Sequence, residues 1–314
     1  MSELLWSGSR RSGALPALAM LIIVVALNAW LQPKFFGYAS LDDNIATFAP
    51  TILVCVAQAL FVLNRELDLS VGAGVSLVNC VLASAPVAAL GPFWSIGVGL
   101  AVALLMGAVN GAVVGYLGLS SLIATFATGA VWFGAALALM PQPGGALSPA
   151  IGNFYAASVA GVPVPLIIVV LAMAGVSALL WHRLGRRVVA VGSDPAAAYR
   201  AGIDIPRVKL LTYMYGWILV FLSALAISAQ TLSGDADVGQ TYTLTSIAAV
   251  VIGGISLGGG RGTSWGALLG ALVLGFIANV IYFAGIPSSW QEFFKGVVIV
   301  IALGFMVFGQ KTPR

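Results

Sequence analysis

The feature that most constrains this chain is how few of its residues carry a charge. Only 8% of its 314 residues are Asp, Glu, Lys or Arg, whereas 60% are hydrophobic. In a soluble globular domain about a quarter of the residues are charged, so this chain lacks the side chains needed to cover a water-facing surface. Apolar stretches of about 20 residues, the length of a helix that crosses the hydrocarbon core, follow one another along it. The sequence predicts an all-α integral membrane protein.

Ten such stretches predict about ten transmembrane helices, with breaks in some of them. The predicted spans are 14–31, 47–63, 69–90, 93–115, 121–140, 163–182, 210–231, 243–257, 265–284 and 291–308. The eighth is short for a full crossing, which indicates a tilted, broken or partly misjudged helix. Together the spans form one transmembrane domain over residues 14–308, with a short N-terminal segment at 1–13 and a tail at 309–314.

The basic residues indicate which side of the membrane each loop occupies. If the N-terminus is cytoplasmic and the spans alternate, twelve of the fourteen basic residues lie inside, as the positive-inside rule requires. The twelve are Arg10, Arg11, Arg65, Arg183, Arg186, Arg187, Arg200, Arg207, Lys209, Arg261, Lys311 and Arg314, and only Lys34 and Lys295 fall outside. Both termini are therefore predicted to be cytoplasmic. The net charge of +4 is interpreted as this asymmetry rather than as an affinity for nucleic acid or acidic lipid.

The loops predicted at 141–162 outside and 183–209 inside are long enough to have a function of their own. The outer loop is rich in Pro and Gly and is either a flexible connection or a docking surface. The inner loop contains six of the fourteen basic residues. Cys55 and Cys80 each lie in an apolar stretch and are interpreted as packing residues, because they have neither metal-ligand spacing nor a disulfide context.

The inner loop contains the signals for a short capped helix. Ser193 or Asp194 is positioned to cap the free amides, Pro195 suits the first helical position, and three alanines follow. Gly202 suits the C-terminal stop. This helix would expose small residues with Tyr199 and Arg200, which favours a docking surface over a mere connector between two membrane helices.

A few polar residues lie within or beside the apolar stretches, where such residues are costly and are often functional. Residues 64–74 combine charged residues with Gly72 and Gly74, which predicts either a broken helix or an ordinary cytoplasmic turn. Single polar residues within spans form hydrogen bonds between helices more often than substrate contacts. These residues are Asn28, Asn79, Asn110, Gln230 and Asn279.

Glycines form a second cluster near residue 255, which we interpret as structural. Its members are Gly253, Gly254, Gly258, Gly259, Gly260 and Gly262, and together with Gly72 and Gly74 they suit tight turns or close helix packing. Neither the phosphate-binding loop nor the dinucleotide-binding fingerprint fits this cluster. The sequence also contains no metal-ligand spacing and no pairing of a nucleophile with a base. We therefore expect no catalytic residue, no metal and no cofactor on this chain.

Three stretches resemble the ribose-type sugar permeases of bacterial ABC importers, in the branched-chain amino acid/ribose permease family. They read LDLSVG at 67–72, GRRVVAVGSDPAAAYRAGIDIPRVK at 185–209 and LTSIAAVVIGGISLGGGRGTSWGALLGA at 244–271. The likeness runs from about residue 40 to 305. It departs from the family at Asn64, Arg65 and Glu66, where small residues are usual.

The resemblance implies a multi-pass permease of the bacterial inner membrane, surrounded by membrane lipid, that pairs with a second copy or a paralogue. A cytoplasmic ATPase subunit, which binds ATP and Mg²⁺, would drive transport by alternating access. A periplasmic binding protein would deliver a sugar or a similar polar solute. The family's ATPase contact maps onto Asp194, Pro195, Ala196, Ala197, Ala198, Tyr199, Arg200, Ala201, Gly202 and Ile203.

Neutral sugars are bound by hydrogen bonds and aromatic faces, and this chemistry selects candidates for the transport path. They are Asp68, Ser70, Asn110, Phe126, Thr128, Tyr242 and Asn279. The alternative is a secondary transporter coupled to protons or sodium, which would need buried acids such as Asp68, Glu66 or Glu292. A membrane scaffold without transport activity would leave the predicted break and the predicted docking helix without a role.

Overall fold

The described part of the protein is mainly helical and has almost no strand, as the sequence predicts. The computed structural model describes residues 14–287, with residues 290, 293–294, 296–297 and 300. Its helices are α1 (Ala14–Leu31), α2 (Tyr38–Leu63), α3 (Val71–Ala83), α4 (Ala85–Ala88), α5 (Pro92–Gly115), α6 (Ser121–Leu139), α7 (Pro149–Tyr155), α8 (Val164–Trp181), α9 (Arg183–Ser193), α10 (Pro195–Arg200), α11 (Ile205–Thr231), α12 (Gln240–Ile252) and α13 (Ser264–Phe283). A small antiparallel hairpin, β1 (Ser158–Val159) and β2 (Val162–Pro163), precedes α8.

Nine of the ten predicted spans coincide with helices. Within the described residues, six helices are long and apolar enough to cross a membrane, namely α2, α5, α6, α8, α11 and α13. The helices α1, α3 and α12 are apolar but shorter. The eighth span, predicted at 243–257, is α12 and has only 13 residues. The tenth span, 291–308, and both chain termini fall largely outside the described residues, so the count of ten and the cytoplasmic termini stay predictions.

The helices α2 and α11 form the centre of the bundle. The helix α11 packs against α2, α3 and α5, and α13 covers α2 and α12 on the opposite side. Tyr213 and Trp217 on α11 are completely buried, and the Tyr213 ring stacks on Phe61 of α2 with centroids 4.9 Å apart. Cys55 and Cys80 are buried in the same core and form no disulfide.

Small residues allow the helices around Trp217 to approach closely. Gly107 on α5 lies against the base of the indole, where an added Cβ would come within 2.7 Å of the Trp217 Cβ. Gly74 on α3 lies against the far edge of the same ring. Lipid tails are as apolar as the helices, so the hydrophobic effect does not drive membrane helices together. They associate instead through close van der Waals packing, which small residues allow.

A proline in the middle of α2 explains how the outer loop is attached to the core. Pro50 has no N–H, and this leaves the Ala46 carbonyl without its helical partner. The Tyr155 hydroxyl on α7 donates to that carbonyl at 2.7 Å. Ser223 on α11 donates to the Pro50 carbonyl, also at 2.7 Å. The defect in α2 thus becomes an attachment point for two other elements.

The loop predicted at 141–162 is folded rather than irregular. It contains α7 and the β hairpin, and its first residues pair with the turn after α11 through two bonds between Gly144 and Gly234, at 2.9 and 2.7 Å. Asn79 on α3 also holds that turn, accepting from the Asp235 N–H at 2.7 Å. The loop and the end of α11 therefore form one ordered surface at this end of the bundle.

Candidate functional site

The backbone between α2 and α3 leaves helical geometry inside the bundle. The helix α2 ends at Leu63 with Arg65 in the left-handed conformation (φ 63°), and α3 starts only at Val71. Asp68 and Ser70 are completely inaccessible to solvent, and Glu66 is 8% exposed. A cytoplasmic turn would leave this segment in water. The burial of these three residues favours the broken helix over the exposed turn, the two alternatives left open by the sequence.

Side chains from three helices replace the lost helical hydrogen bonds. Five of the six amides from Leu67 to Gly72 have a side-chain acceptor. On α6, Ser121 Oγ accepts from Leu67 N–H at 3.2 Å and Thr125 Oγ1 accepts from Leu69 N–H at 2.9 Å. Gln58 Oε1 on α2 accepts from Asp68 N–H at 3.3 Å, in the amide orientation that matches donors with acceptors. Ser70 N–H donates to Asp68 Oδ1 at 2.8 Å, and Gly72 N–H donates to Thr243 Oγ1 on α12 at 3.1 Å. A polar group without a partner in an apolar interior costs several kcal/mol, and these side chains remove that cost.

The Asp68 carboxylate is the centre of this polar group. Its Oδ1 accepts from both the N–H and the hydroxyl of Ser70, and its Oδ2 accepts from Trp217 Nε1 at 3.0 Å and Asn110 Nδ2 at 3.3 Å. Asn110 also donates to Ser70 Oγ at 2.7 Å. Within the described residues no Lys or Arg forms an ion pair with this carboxylate. Its two oxygens therefore accept four hydrogen bonds, all from uncharged groups.

Three of the seven path candidates come together, and four do not. Asp68, Ser70 and Asn110 form the hydrogen-bonded group just described. The other four lie elsewhere: Phe126 is 70% exposed on α6, Thr128 donates to the Thr125 carbonyl of its own helix, Tyr242 is buried near the start of α12, and Asn279 donates to Asn44. The criterion of polar and aromatic side chains suited to a sugar thus selected residues that do not all belong to one hydrogen-bonded group.

Several residues of the polar group were not singled out from the sequence. Gln58, Ser121, Thr125 and Thr243 bind the broken backbone, and Trp217 binds the carboxylate. A glutamine in the middle of an apolar helix is a usable signal, because burying it without a partner is costly. A serine, a threonine or a tryptophan in such a helix carries no comparable signal, since each also occurs there for packing alone.

The inner loop forms two helices, α9 and α10, with the caps that the sequence predicts. Asp194 accepts the Ala197 N–H at 3.0 Å. At the other end Gly202 is left-handed (φ 74°), and the Ile203 and Gly202 amides donate to the Ala198 and Tyr199 carbonyls. This is the paired-bond geometry of a glycine-terminated helix. The capped helix is well defined despite its length of six residues.

The helix α10 projects its polar surface away from the bundle. Tyr199 is 75% exposed, and Asp194, Arg200 and Gly202 are exposed as well, whereas Ala198 is buried. A surface of small residues around one aromatic and one cationic side chain is typical of a protein contact, where Tyr and Arg often supply most of the binding energy.

The second glycine cluster connects α10 to the broken segment. Gly260 N–H donates to the Leu63 carbonyl at 3.0 Å. Gly259 and Gly260 are both left-handed and lie against Arg65 and Ser193, where any side chain would overlap these neighbours. This loop therefore joins the end of α2 to the end of α9, directly before α10.

The other glycines of the two clusters lie at helix contacts and turns. Gly72 lies against Gly239, which precedes α12, and against Thr243 within α12. Gly253 lies against Gly266 of α13. Gly254 and Gly262 have left-handed backbones, and Gly258 has open space around it apart from the Ser256 hydroxyl at 3.5 Å.

The chain is similar to known permeases over most of its length. Residues 40–303 match the family described as "branched-chain amino acid transport system / permease component". The chain is 31% identical to the ribose import permease protein of Escherichia coli (strain K12) over 293 residues, which cover 91% of each chain. It is 32% identical to the ribose import permease protein of Bacillus subtilis (strain 168) over 296 residues, 92% of this chain and 90% of that one. It is 29% identical to the D-allose transport system permease protein of Escherichia coli (strain K12), over 90% and 88% of the two chains. No solved structure matches it.

The hydrogen bonds to the broken segment predict a difference between two threonines on α6. Thr125→Val keeps the side-chain shape but removes the acceptor of the Leu69 N–H, so we expect the free energy of unfolding to fall by about 1–3 kcal/mol. Thr128→Val removes only a bond to its own helix at 3.3 Å, and a change within about 0.5 kcal/mol is expected. Thermal unfolding of both variants in one detergent checks this difference. Equal stability of the two variants would contradict it.

Proposed function

Because the chain belongs to the branched-chain amino acid transport system / permease component family, we propose that it is the membrane-spanning permease subunit of an ABC importer for a sugar. It is a multi-pass protein of the inner membrane and a transport component, and an ATPase subunit and a solute-binding protein are its partners. The similarity to ribose and allose permeases carries the proposal, and ribose is the first solute to test.

The buried polar group supports transport of a neutral solute over coupling to an ion gradient. A proton-coupled carrier needs a buried acid that is free to gain and lose a proton during transport. Asp68 accepts four hydrogen bonds, and Glu66 forms an ion pair with Lys209. Glu292, the third acid considered, lies outside the described residues.

One unused acceptor in the polar group favours Asn110 as a contact for a sugar hydroxyl. Asn110 Oδ1 is buried and has no hydrogen-bond partner among the described residues. In alternating access the helices move relative to one another around a fixed site, and such movement would open the space beside Asn110, Ser70 and Asp68.

The exposed apolar surface of α6, which includes Phe126 and Ile123, is the surface proposed to meet a second permease copy or a paralogue.

Energy from the ATPase would enter through α10. In this mechanism the ATPase pair closes on ATP and Mg²⁺, pushes on the exposed surface around Tyr199, and moves α9 with it. The glycine cluster transfers the movement to Leu63 and Arg65 through direct backbone contact. The broken segment follows immediately in the chain, so the movement would reach the joint at which α3 begins. The chain itself has no ATP-binding motif and uses the partner's ATP.

Uptake into proteoliposomes tests the transport activity. The permease is reconstituted with its ATPase subunit and binding protein, and labelled ribose and allose are supplied outside. We expect uptake that requires ATP at the ATPase side and that persists when an uncoupler collapses ion gradients, because ATP is the only energy source in the mechanism. Uptake without ATP, or uptake abolished by the uncoupler while ATP is held high, would instead indicate a secondary transporter.

A double variant tests the docking role of α10. Tyr199→Ala combined with Arg200→Ala removes the two large exposed side chains of the helix while leaving the Asp194 cap and Gly202 intact. We expect association with the ATPase subunit to weaken about tenfold or more, as for the loss of interface hot spots, and ATP-driven uptake to fall with it. The matched control is Tyr116→Ala, since Tyr116 is exposed at the end of α5 on the same predicted side. Normal ATPase binding and normal uptake by the double variant would refute the docking role.

A further inference from the structure

A cavity of about 550 Å³ lies where α8, α9 and α13 meet. Its walls are mainly apolar and include Leu63, Leu180 and Val189, and Arg186 stands among them. The volume falls within the range of small-molecule sites in proteins. Because α8 ends and α13 begins at this level, the cavity lies at one membrane surface, beside the inner loop.

Two tryptophans stand at this level. Trp181 is the last residue of α8 and is 82% exposed, and Trp265, near the start of α13, is 59% exposed. Both line the cavity. Tryptophan is enriched where the hydrocarbon core meets the lipid headgroups, since its ring is apolar and its N–H is polar. The two exposed indoles are therefore consistent with a cavity at the depth of the lipid headgroups.

Three arginines form a cationic surface next to the cavity. Arg183, Arg186 and Arg187 are all exposed on one face of α9, whereas Gly185 and Val188 on its other face are buried. The three line a second, adjacent depression of about 260 Å³ with Ile203. Within the described part of the chain none of them forms an ion pair. Planar guanidinium groups suit phosphate oxygens, to which each can donate two parallel hydrogen bonds.

We propose that this cavity binds an anionic phospholipid of the leaflet that α9 faces. The phosphate would contact Arg183, Arg186 and Arg187, and an acyl chain would occupy the apolar cavity between the two tryptophans. Basic pockets between transmembrane helices on the cytoplasmic side are a known type of lipid-binding site. Arginines alone would equally suit an acidic surface of a partner protein, but the adjoining apolar cavity and the two interfacial indoles favour a lipid.

The position of the site links the lipid to the movement of α9. Leu63 and Gly262, which line the cavity, belong to the end of α2 and to the glycine cluster, and Ala190 belongs to α9 itself. A bound chain would thus contact all the elements that lie between α10 and the broken segment. The transmission of movement from α10 to the broken segment would then depend on the anionic lipid content of the membrane.

Lipid selectivity of the purified full-length chain tests this site. Spin-labelled phosphatidylglycerol and phosphatidylcholine are compared by electron paramagnetic resonance in the same mixed bilayers, which gives a relative association constant for each lipid. We expect a preference for phosphatidylglycerol. Each arginine near a membrane contributes about 1 kcal/mol to the binding of anionic lipid, so Arg186→Gln should lower the phosphatidylglycerol association about fivefold and leave that of phosphatidylcholine unchanged.

Two further variants separate the site from general surface charge. Ser177→Leu fills the cavity from α8 without altering any charge, and it should remove the preference as well. Arg207→Gln removes an exposed arginine that lines neither cavity and should leave the preference intact. All variants are compared at equal helical content and equal elution volume.

Four results would overturn the proposal. The first is a wild-type chain that does not discriminate between the two lipids. The second is a preference that Ser177→Leu retains while Arg186→Gln loses it, because the arginines would then act only as a charged surface. The third is equal loss in Arg186→Gln and Arg207→Gln. If Arg186→Gln instead impairs only association with the ATPase subunit, the arginines form a protein contact and the lipid site is refuted.

Discussion

Between α2 and α3 the backbone leaves helical geometry inside an apolar bundle, and its amide groups lose the carbonyls that a continuous helix would supply. Water cannot replace those partners in the hydrocarbon region. Hydroxyl and amide side chains of α2, α6 and α12 take this role, while the Asp68 carboxylate accepts from its neighbour Ser70 and from α5 and α11. Five helices are therefore positioned by one short segment, and a change in any of their positions must change its hydrogen bonds.

The same segment lies close to α9 and α10, the helices that the proposed ATPase subunit would move. The glycine cluster touches both the end of α2 and the end of α9, and it can do so because its backbone approaches Leu63 and Ser193 without intervening side chains. In the proposed mechanism, a force applied at α10 would pass through these backbone contacts to a segment that lacks the hydrogen bonds of a continuous helix. In this mechanism α3 would move at the break while α2 and α11 keep the bundle together.

The sequence alone predicted the elements better than it predicted the site. Apolar stretches of spanning length located nine helices, and the Ser-Asp-Pro start with its later glycine located α10, because both signals are local. The charges and closely spaced glycines at 64–74 indicated an interruption between two helices, but they did not decide between a broken helix and an ordinary cytoplasmic turn. The partners of the break were not detectable, because a threonine such as Thr125 acquires its role only when α6 packs beside residue 69. Tyr242 and Asn279 were selected by chemistry alone, and among the described residues neither forms a hydrogen bond with Asp68; Asn279 donates to Asn44 instead.

Hydrogen exchange of the amides from Leu67 to Gly72 is the most direct measurement of whether the broken segment is held by side chains inside the bundle. With residue-level fragmentation, we expect the amides of Leu67, Asp68, Leu69, Ser70 and Gly72 to exchange as slowly as those of α2. When Thr125 is replaced by valine, we expect exchange of the Leu69 amide alone to accelerate strongly. Exchange of all five amides at the rate of an unprotected surface turn would contradict the claim that side chains hold this segment inside the bundle. It would indicate an ordinary cytoplasmic loop instead.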